Sequence, residues 1–533
     1  MATFPRWLWI GFVIIFVACQ APVSAPAPTA VSPAGPTAPA LSPSAVPVSP
    51  TAAPASPMIV IDPSMARPFA RELLGANVPA WLNPYRLNDD TFISRTAELG
   101  LTLLRMPGGS WSNAYAWADC ETGGEGCYWP WAAKPSDFLR FARTVNAEII
   151  WTVSINGSAQ EAAALVAFFN GAIDDERPIG PDSRGRDWQT VGHWARLRAE
   201  VVGQEPFPVR YWEIGNEVYG AKREVGPDCS EWGWEDVWTC DADEYLRGAT
   251  FDGVAYDGYL AFYDAMKAVD PSIQIGAVGV EKPDDWSNWG NRVIAGAGAK
   301  LDFYVVHYYP YFQPPENPAG ALQQPQRSWP TIMADLRAAF DRHLGRQVPV
   351  AVTEYNLVSF QDSDNGQLMR RAVNLFFIAD TIGQMAVHGV AIANQWDLAN
   401  GRAYNGTDYG LLDADTFAPN PQYYALLLWS QFGDELLDVQ HPFDPATTLS
   451  VYAGRRADGS LTLLALNKTD QSLTATMALP AGDWQMSATV VSATDLLAET
   501  VTLAESEALL VASGDSYTFA PYTLTLLTFA IPQ

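Results

Sequence analysis

An α/β chain, with a (β/α)8 TIM barrel and then a C-terminal antiparallel β-sandwich, is the fold this sequence predicts. Three observations carry it. Eight strand-like runs recur between residues 73 and 398, with helix-period segments between them. Two of those runs, the fourth and the seventh, finish on a carboxylate, Glu217 and Glu354. From about residue 433 helix-length segments stop, and short alternating runs separated by turn residues take over.

In chain order, 533 residues are enough for two domains with appendages. Arg6 precedes an apolar run at 7–18 that is too short to span a bilayer comfortably. The run closes on Phe16-Val17-Ala18-Cys19, which resembles a bacterial lipobox. Residues 1–18 are therefore expected to be a lipoprotein signal peptide with Cys19 as the lipidation site; an ordinary secretory signal is the alternative. Either way the protein leaves the cytosol, as a cell-envelope lipoprotein or a secreted protein. Residues 19–57 form a Pro/Ala/Ser-rich linker, which cannot bury a core and acts as an extended tether. The segment 58–72 opens on a lone strand with no barrel partner and is expected to join the sandwich.

The catalytic barrel is placed at 73–432. Its strands are expected in the runs 73–81, 101–109, 147–157, 209–217, 273–280, 301–310, 348–356 and 389–398. Helix starts between them are marked by Asn88-Asp89-Asp90, Ser136-Asp137, Ser158 and Asp257. A doubly wound open sheet would need a Gly-rich phosphate turn after its first strand, and that turn is missing. The sandwich occupies 433–533.

Hydrophobic residues make up 48% of the chain, ample for burial, while the net charge is −27. That charge opposes nucleic acid and anionic membrane surfaces, so membrane contact is expected only through the N-terminal lipid anchor. Twenty Trp and 21 Tyr are mostly core, with a minority available to stack on sugar rings. Four cysteines besides Cys19 fall as two near pairs, which in an exported protein suggests disulfides Cys120–Cys127 and Cys229–Cys240, although four cysteines allow three connectivities. No Cys-x-x-Cys occurs and the five histidines are scattered, so neither a metal nor another cofactor is expected.

The run at 209–217 ends in Gly215-Asn216-Glu217, and the run at 348–356 carries Glu354 at its tip. In a TIM barrel the chemistry sits at the strand C-termini, and strands four and seven face each other across the mouth. Alternation points Glu213, Gly215 and Glu217 to the barrel axis, and likewise Val350, Val352 and Glu354, while Thr353 and Tyr355 face away. Two convergent carboxyls, one neutral and one ionised, are the equipment of glycoside hydrolysis.

These residues resemble the clan of retaining TIM-barrel glycosidases with two catalytic Glu. Within it the chain is most similar to glycoside hydrolase family 51, whose best-known members are α-L-arabinofuranosidases. The resemblance lies in LRMPGGSWSNAYAW at 104–117, AQEAAALVAFFN at 159–170, YWEIGNEVYG at 211–220, HYYP at 307–310, EYN at 354–356 and the terminal sandwich. It departs at Val218-Tyr219, where the family has an acidic residue, and at Tyr355, where a Trp often stands. The resemblance implies Glu217 as acid/base, Glu354 as nucleophile, and an oligo- or polysaccharide substrate, with α-L-arabinofuranosyl residues released from plant cell walls.

Support roles are assigned from position. Asn216 could bind the sugar 2-hydroxyl. Arg105 could hold the nucleophile ionised or instead form a salt bridge with Glu213. Tyr309 or Tyr308 could donate to Glu354, and His307 could face the site. Trp396 and Trp111 are candidate sugar platforms, with core packing as the alternative; Asn77 and Asn156 are candidate hydroxyl binders. An endo-acting β-glycanase (xylanase or glucanase) of the same clan stays open, decided by the loops at 111–135 and 219–255. A non-catalytic carbohydrate-binding lipoprotein is the third reading, which the presence of both Glu opposes.

Overall fold

The computed structural model describes residues 57–220, 235 and 237–532. The expected signal peptide, Cys19 and the linker up to residue 56 lie outside the described residues. The first described strand is β1 (Met58–Pro68). The apolar runs that follow form short parallel strands, buried on both faces as helix-flanked strands must be. They are β2 (Gly75–Asn77), β3 (Leu103–Met106), β4 (Glu148–Val153) and β5 (Tyr211–Ile214). A surface hairpin intervenes, β6 (Gly248–Phe251) with β7 (Val254–Asp257). The series resumes with β8 (Gln274–Val278), β9 (Phe303–Tyr308), β10 (Val350–Tyr355) and β11 (Ile392–Gln395). β2-β3-β4-β5-β8-β9-β10-β11 close into one barrel.

One end of the barrel interior is filled by Leu103, Ile150, Tyr211, Phe303, Val305, Ala351 and Ile392. The opposite faces of the strands pack under the helices in the main core, with Trp151, Trp212 and Tyr304 among its largest members. Asp89 and Ser158 cap the helices Asp90–Glu98 and Ala159–Asn170. Asp257 does not cap the helix Tyr259–Val269: it ends β7, and its carboxylate accepts from Ala159 N at 3.0 Å, so it serves a helix distant in sequence. Ser136 lies inside the helix Pro135–Val145, whose N-cap is Lys134.

The last hundred residues form β12 (Glu435–Gln440), β13 (Leu449–Arg455), β14 (Leu461–Asn467), β15 (Leu473–Ala478), β16 (Trp484–Ser492), β17 (Thr502–Glu505), β18 (Leu509–Val511), β19 (Ser516–Phe519) and β20 (Thr523–Ala530). With β1 they make one ten-stranded sheet, curled round a single core that includes Ile59, Leu463, Met477, Phe519 and Phe529. The sheet is mostly antiparallel; β1 pairs antiparallel with β12 but parallel with β15. Its outer face joins the barrel against the helix Ala372–His388. There Gly383 leaves room for the Tyr452 ring, which a Cβ would meet at 2.2 Å. Lys468, just after β14, reaches Asp380 of that helix at 2.7 Å, both side chains fully buried. Cys120 and Cys127 are disulfide-bonded. Cys240 is disulfide-bonded too, but Cys229 lies outside the described residues.

Candidate active site

The C-terminal end of the barrel is built around Arg105, at the tip of β3. Its guanidinium is fully buried and spends all five N–H donors on protein. Nε and Nη2 bind the two oxygens of Glu213 at 2.7 and 3.0 Å. Nη1 reaches Asn77 Oδ1 at 3.0 Å and Glu354 Oε1 at 2.7 Å, and Nη2 also reaches Asn216 Oδ1 at 2.8 Å. Burial works against its charge, and Glu213 and Glu354 outweigh burial. Arg105 therefore forms the salt bridge with Glu213 and also bonds Glu354, whose carboxyl its charge pulls down. Substrate binding is not among its roles, because no donor remains for a sugar. Asn77 is corrected likewise: its Nδ2 is held by three backbone carbonyls, the nearest Thr353 O at 2.9 Å.

The Pro-Gly-Gly after β3 has a steric purpose. Gly108 and Gly109 adopt φ of +60° and +67°, and a Cβ on Gly109 would lie 2.6 Å from the Trp396 ring. Trp396, at the tip of β11, thereby lies against the glycine turn and lines the pocket.

Glu354 reaches the site by a route that alternation does not give. Val350 and Val352 pack outward under the helices, and Ala351 points into the barrel, the reverse of the expected phase. The register with β9 slips between Val352 and Glu354. Thr353 looks inward two residues on from Ala351, its hydroxyl donating to Glu213 Oε1 at 3.1 Å, and the slip lets Glu354 face the site as well. Tyr309 donates to Glu354 Oε2 at 2.8 Å. Tyr308 faces outward, against Trp329 and Phe377. Burial lifts the Glu354 carboxyl above its ordinary value and outweighs His307, Arg105 and Tyr309, which pull it down.

Glu217 stands beyond the end of β5, in a turn. Gly215 has φ +82° and Glu217 itself φ +46°, a costly conformation for a residue with a Cβ. Asn113, unmarked in the sequence reading, pins this turn: it accepts from Asn216 N at 2.8 Å and donates to Asn216 O at 2.9 Å. Glu217 Oε1 is bound by His307 Nδ1 at 2.8 Å. His307 Nε2 lies 3.1 Å from the Thr353 hydroxyl. Burial alone would lower the His307 pKa, but Glu354 and Glu217 carry it above its usual value. One ligand atom from each of Glu217, His307 and Glu354 falls within 4.8 Å of the others. The trio is near enough to gather a metal ion, yet Arg105 holds a cation 2.7 Å from Glu354, so the acceptors are already served by protein donors.

The pocket over these groups measures about 860 Å³ and is walled by Trp81, Asn216, Glu217, Tyr219, Glu281, Trp286, His307, Tyr309, Glu354, Trp396 and Tyr409. Besides Arg105 and Asn77, two expected residues are absent from that wall. Trp111 stands one ring behind, edge-on to Trp81 at 5.2 Å and stacked on Trp129 at 4.2 Å, so the ring that lines the pocket there is Trp81. Asn156 accepts from Trp238 Nε1 at 2.8 Å and lines a separate polar cavity with Glu161 and Asp182. Trp81 and Glu281 had no sequence signal, since each follows its strand without a motif.

A closed parallel barrel with two carboxylates at one mouth and a curled β-sheet domain behind it is the architecture of a class of glycoside hydrolases. No family model matches the chain. In sequence it is similar to α-L-arabinofuranosidase C of Emericella nidulans, 26% identical over 236 residues, which cover 40% of this chain and 38% of that protein. The chain thus spans well under half the length of the curated relatives it matches. In fold it is similar to the arabinose complex of α-L-arabinofuranosidase from Thermotoga maritima, with a TM-score of 0.68 at 20% identity, covering 89% of this chain and 99% of that one. The thermostable GH51 α-L-arabinofuranosidase of Thermotoga petrophila RKU-1 gives 0.68 at 19%, covering 89% and 100%. The protein is α-L-arabinofuranosidase-like, with family 51 the particular family that it resembles.

Proposed function

We propose that this protein is a retaining glycoside hydrolase that releases α-L-arabinofuranosyl residues from plant cell-wall polysaccharides. The observation that carries the reading is the approach of Glu217 and Glu354 oxygens to within 4.8 Å at one end of one barrel. Retention by a covalent intermediate needs carboxyls about 5–5.5 Å apart, whereas inversion needs roughly 6.5–9.5 Å to admit a water between them.

Glu354 attacks the anomeric carbon, held in aim by Arg105 Nη1 on one oxygen and Tyr309 OH on the other. Glu217 gives the leaving oxygen its proton. His307 occupies Oε1, leaving Oε2, which has no hydrogen bond from the described residues, for that transfer. The glycosyl–Glu354 ester is then hydrolysed by water that Glu217, now a carboxylate, deprotonates. Asn216 has its Oδ1 committed to Arg105, so its amide N–H is what it offers a sugar hydroxyl. Trp81 and Trp396 supply apolar ring faces. The lipobox-like segment and tether support a cell-envelope lipoprotein, with a secreted protein as the alternative.

The test is hydrolysis of nitrophenyl-α-L-arabinofuranoside beside xylan and β-glucan, with the anomeric form of the first product read by NMR. Arabinose released with retained configuration is expected. Backbone depolymerisation without arabinose release would move the enzyme to the endo-acting alternative, and inverted product would remove the double displacement.

A further inference from the structure

Among the described residues three carboxyls line the pocket, and the double displacement uses two of them. The third, Glu281, lies three residues past the end of β8, at the same mouth of the barrel. Among the described residues its buried Oε1 has no hydrogen-bond partner. A buried acceptor left open in a binding pocket is costly to the empty protein and is satisfied when a ligand group arrives. The charged groups acting on Glu281 are Lys282, His307 and Asp285. Trp286, five residues on from Glu281 and in the same pocket wall, packs on the Tyr219 ring at 5.1 Å, and Tyr219 donates to Glu217 Oε1 at 3.4 Å. Glu281 therefore belongs to the acid/base side of the pocket, where the departing group sits.

We propose that Glu281 binds a hydroxyl of the leaving-group sugar, making the enzyme select a carbohydrate aglycone over an aryl or alkyl one. The proposal rests on the glycosidase reading above. Burial holds the carboxyl neutral by raising it to about 8, against Lys282 and His307 and with Asp285; Tyr219 and Tyr308 are the neutral titratable groups that sense it. A neutral carboxyl offers a sugar hydroxyl both a donor and an acceptor. The donor is present below that raised value and is lost as pH rises through it.

The experiment compares kcat/KM on an arabinofuranosyl oligosaccharide and on nitrophenyl-α-L-arabinofuranoside, for wild type, Glu281→Ala and Glu281→Gln, across pH 6–9.5. Glu281→Ala should lose about tenfold on the oligosaccharide and about twofold or less on the nitrophenyl substrate. Glu281→Gln keeps a donor and an acceptor and should recover most of the loss. In wild type the oligosaccharide-to-nitrophenyl ratio should fall above about pH 8, and in Glu281→Gln it should stay flat. Equal losses on both substrates, or a ratio in Glu281→Gln that still falls, overturn the proposal. Should Glu281→Ala not fold, the pH ratio in wild type and Glu281→Gln decides alone. If wild type cleaves neither substrate, the glycosidase reading falls and this inference with it; if it cleaves both and the ratios do not move, only this inference falls.

Discussion

The two carboxyls at the barrel mouth are held in opposite ways. Glu354 sits on a strand, 5% exposed, with a donor on each oxygen, and the group supplying one of them, Arg105, is itself gripped by four other bonds. Glu217 sits in a left-handed turn, half-buried, with His307 on one oxygen and the other turned to the pocket. A nucleophile has to be aimed and kept ionised, so its surroundings are saturated. An acid/base has to exchange a proton with two different partners, so one of its oxygens stays open. The contrast supports the roles given to Glu354 and Glu217 in the proposed double displacement.

The sharpest way to break that contrast is to remove each group and vary the leaving group. Glu354→Ala should lose at least about 10³-fold in kcat on every substrate. Glu217→Ala should lose a similar factor in kcat/KM on an oligosaccharide but far less in kcat/KM on a nitrophenyl glycoside, whose leaving group departs without a proton; kcat falls on both, because hydrolysis of the ester still lacks its base. Equal losses in kcat/KM for the two variants on the aryl substrate would erase the distinction. Next comes Arg105→Leu, which leaves Glu213 and Glu354 buried without their cation. A loss of about 3–5 kcal/mol is expected, read from the urea midpoint, with activity falling in parallel; an unchanged midpoint would mean that the network is not held by Arg105.

Smaller effects sharpen the comparison. Asn113→Ala unpins the Glu217 turn, and a drop of about tenfold in kcat should accompany about 1–3 kcal/mol of destabilisation. If kcat stays put while stability falls, the turn does not need its anchor for chemistry. The smallest expected change is a pH shift. Glu354 must be ionised to attack, and its folded value lies above the ordinary 4.5, so activity is lost as pH falls through that raised value. Tyr309 pulls the value down, so Tyr309→Phe should move the acidic limb of kcat/KM to higher pH. A limb that stays in place would mean that Tyr309 does not stabilise the ionised form.

The barrel was legible because strands buried on both faces are written as near-continuous apolar runs, and every barrel strand lies within such a run. Glu217 and Glu354 stood out because a carboxylate ending an apolar strand is conspicuous. Arg105 and Asn77 were legible as site residues but not as residues behind the wall, since the sequence does not say which neighbours will use up their donors. Trp111 and Trp81 look alike in sequence, and only the packing of Trp111 on Trp129 puts Trp81 at the pocket. Asn156 lies just past β4 as Asn216 lies just past β5, yet its Oδ1 accepts from Trp238 and the residue lines another cavity. Glu281 follows an unremarkable Val-Gly-Val and acquires meaning only when the pocket wall forms around it.

By itself the sequence determined the succession of strands and helices, the sheet that follows them, and the two carboxylates at strand tips. These depend on local periodicity and burial, which neighbouring residues record together. The tertiary structure alone decided that β10 runs with Ala351 and Thr353 inward and slips its register to bring Glu354 in beside them, that one guanidinium serves four side chains, and that Glu281 faces the pocket. Such outcomes depend on distances between residues up to about 250 positions apart, and no stretch of chain encodes a distance to a segment it meets only after folding.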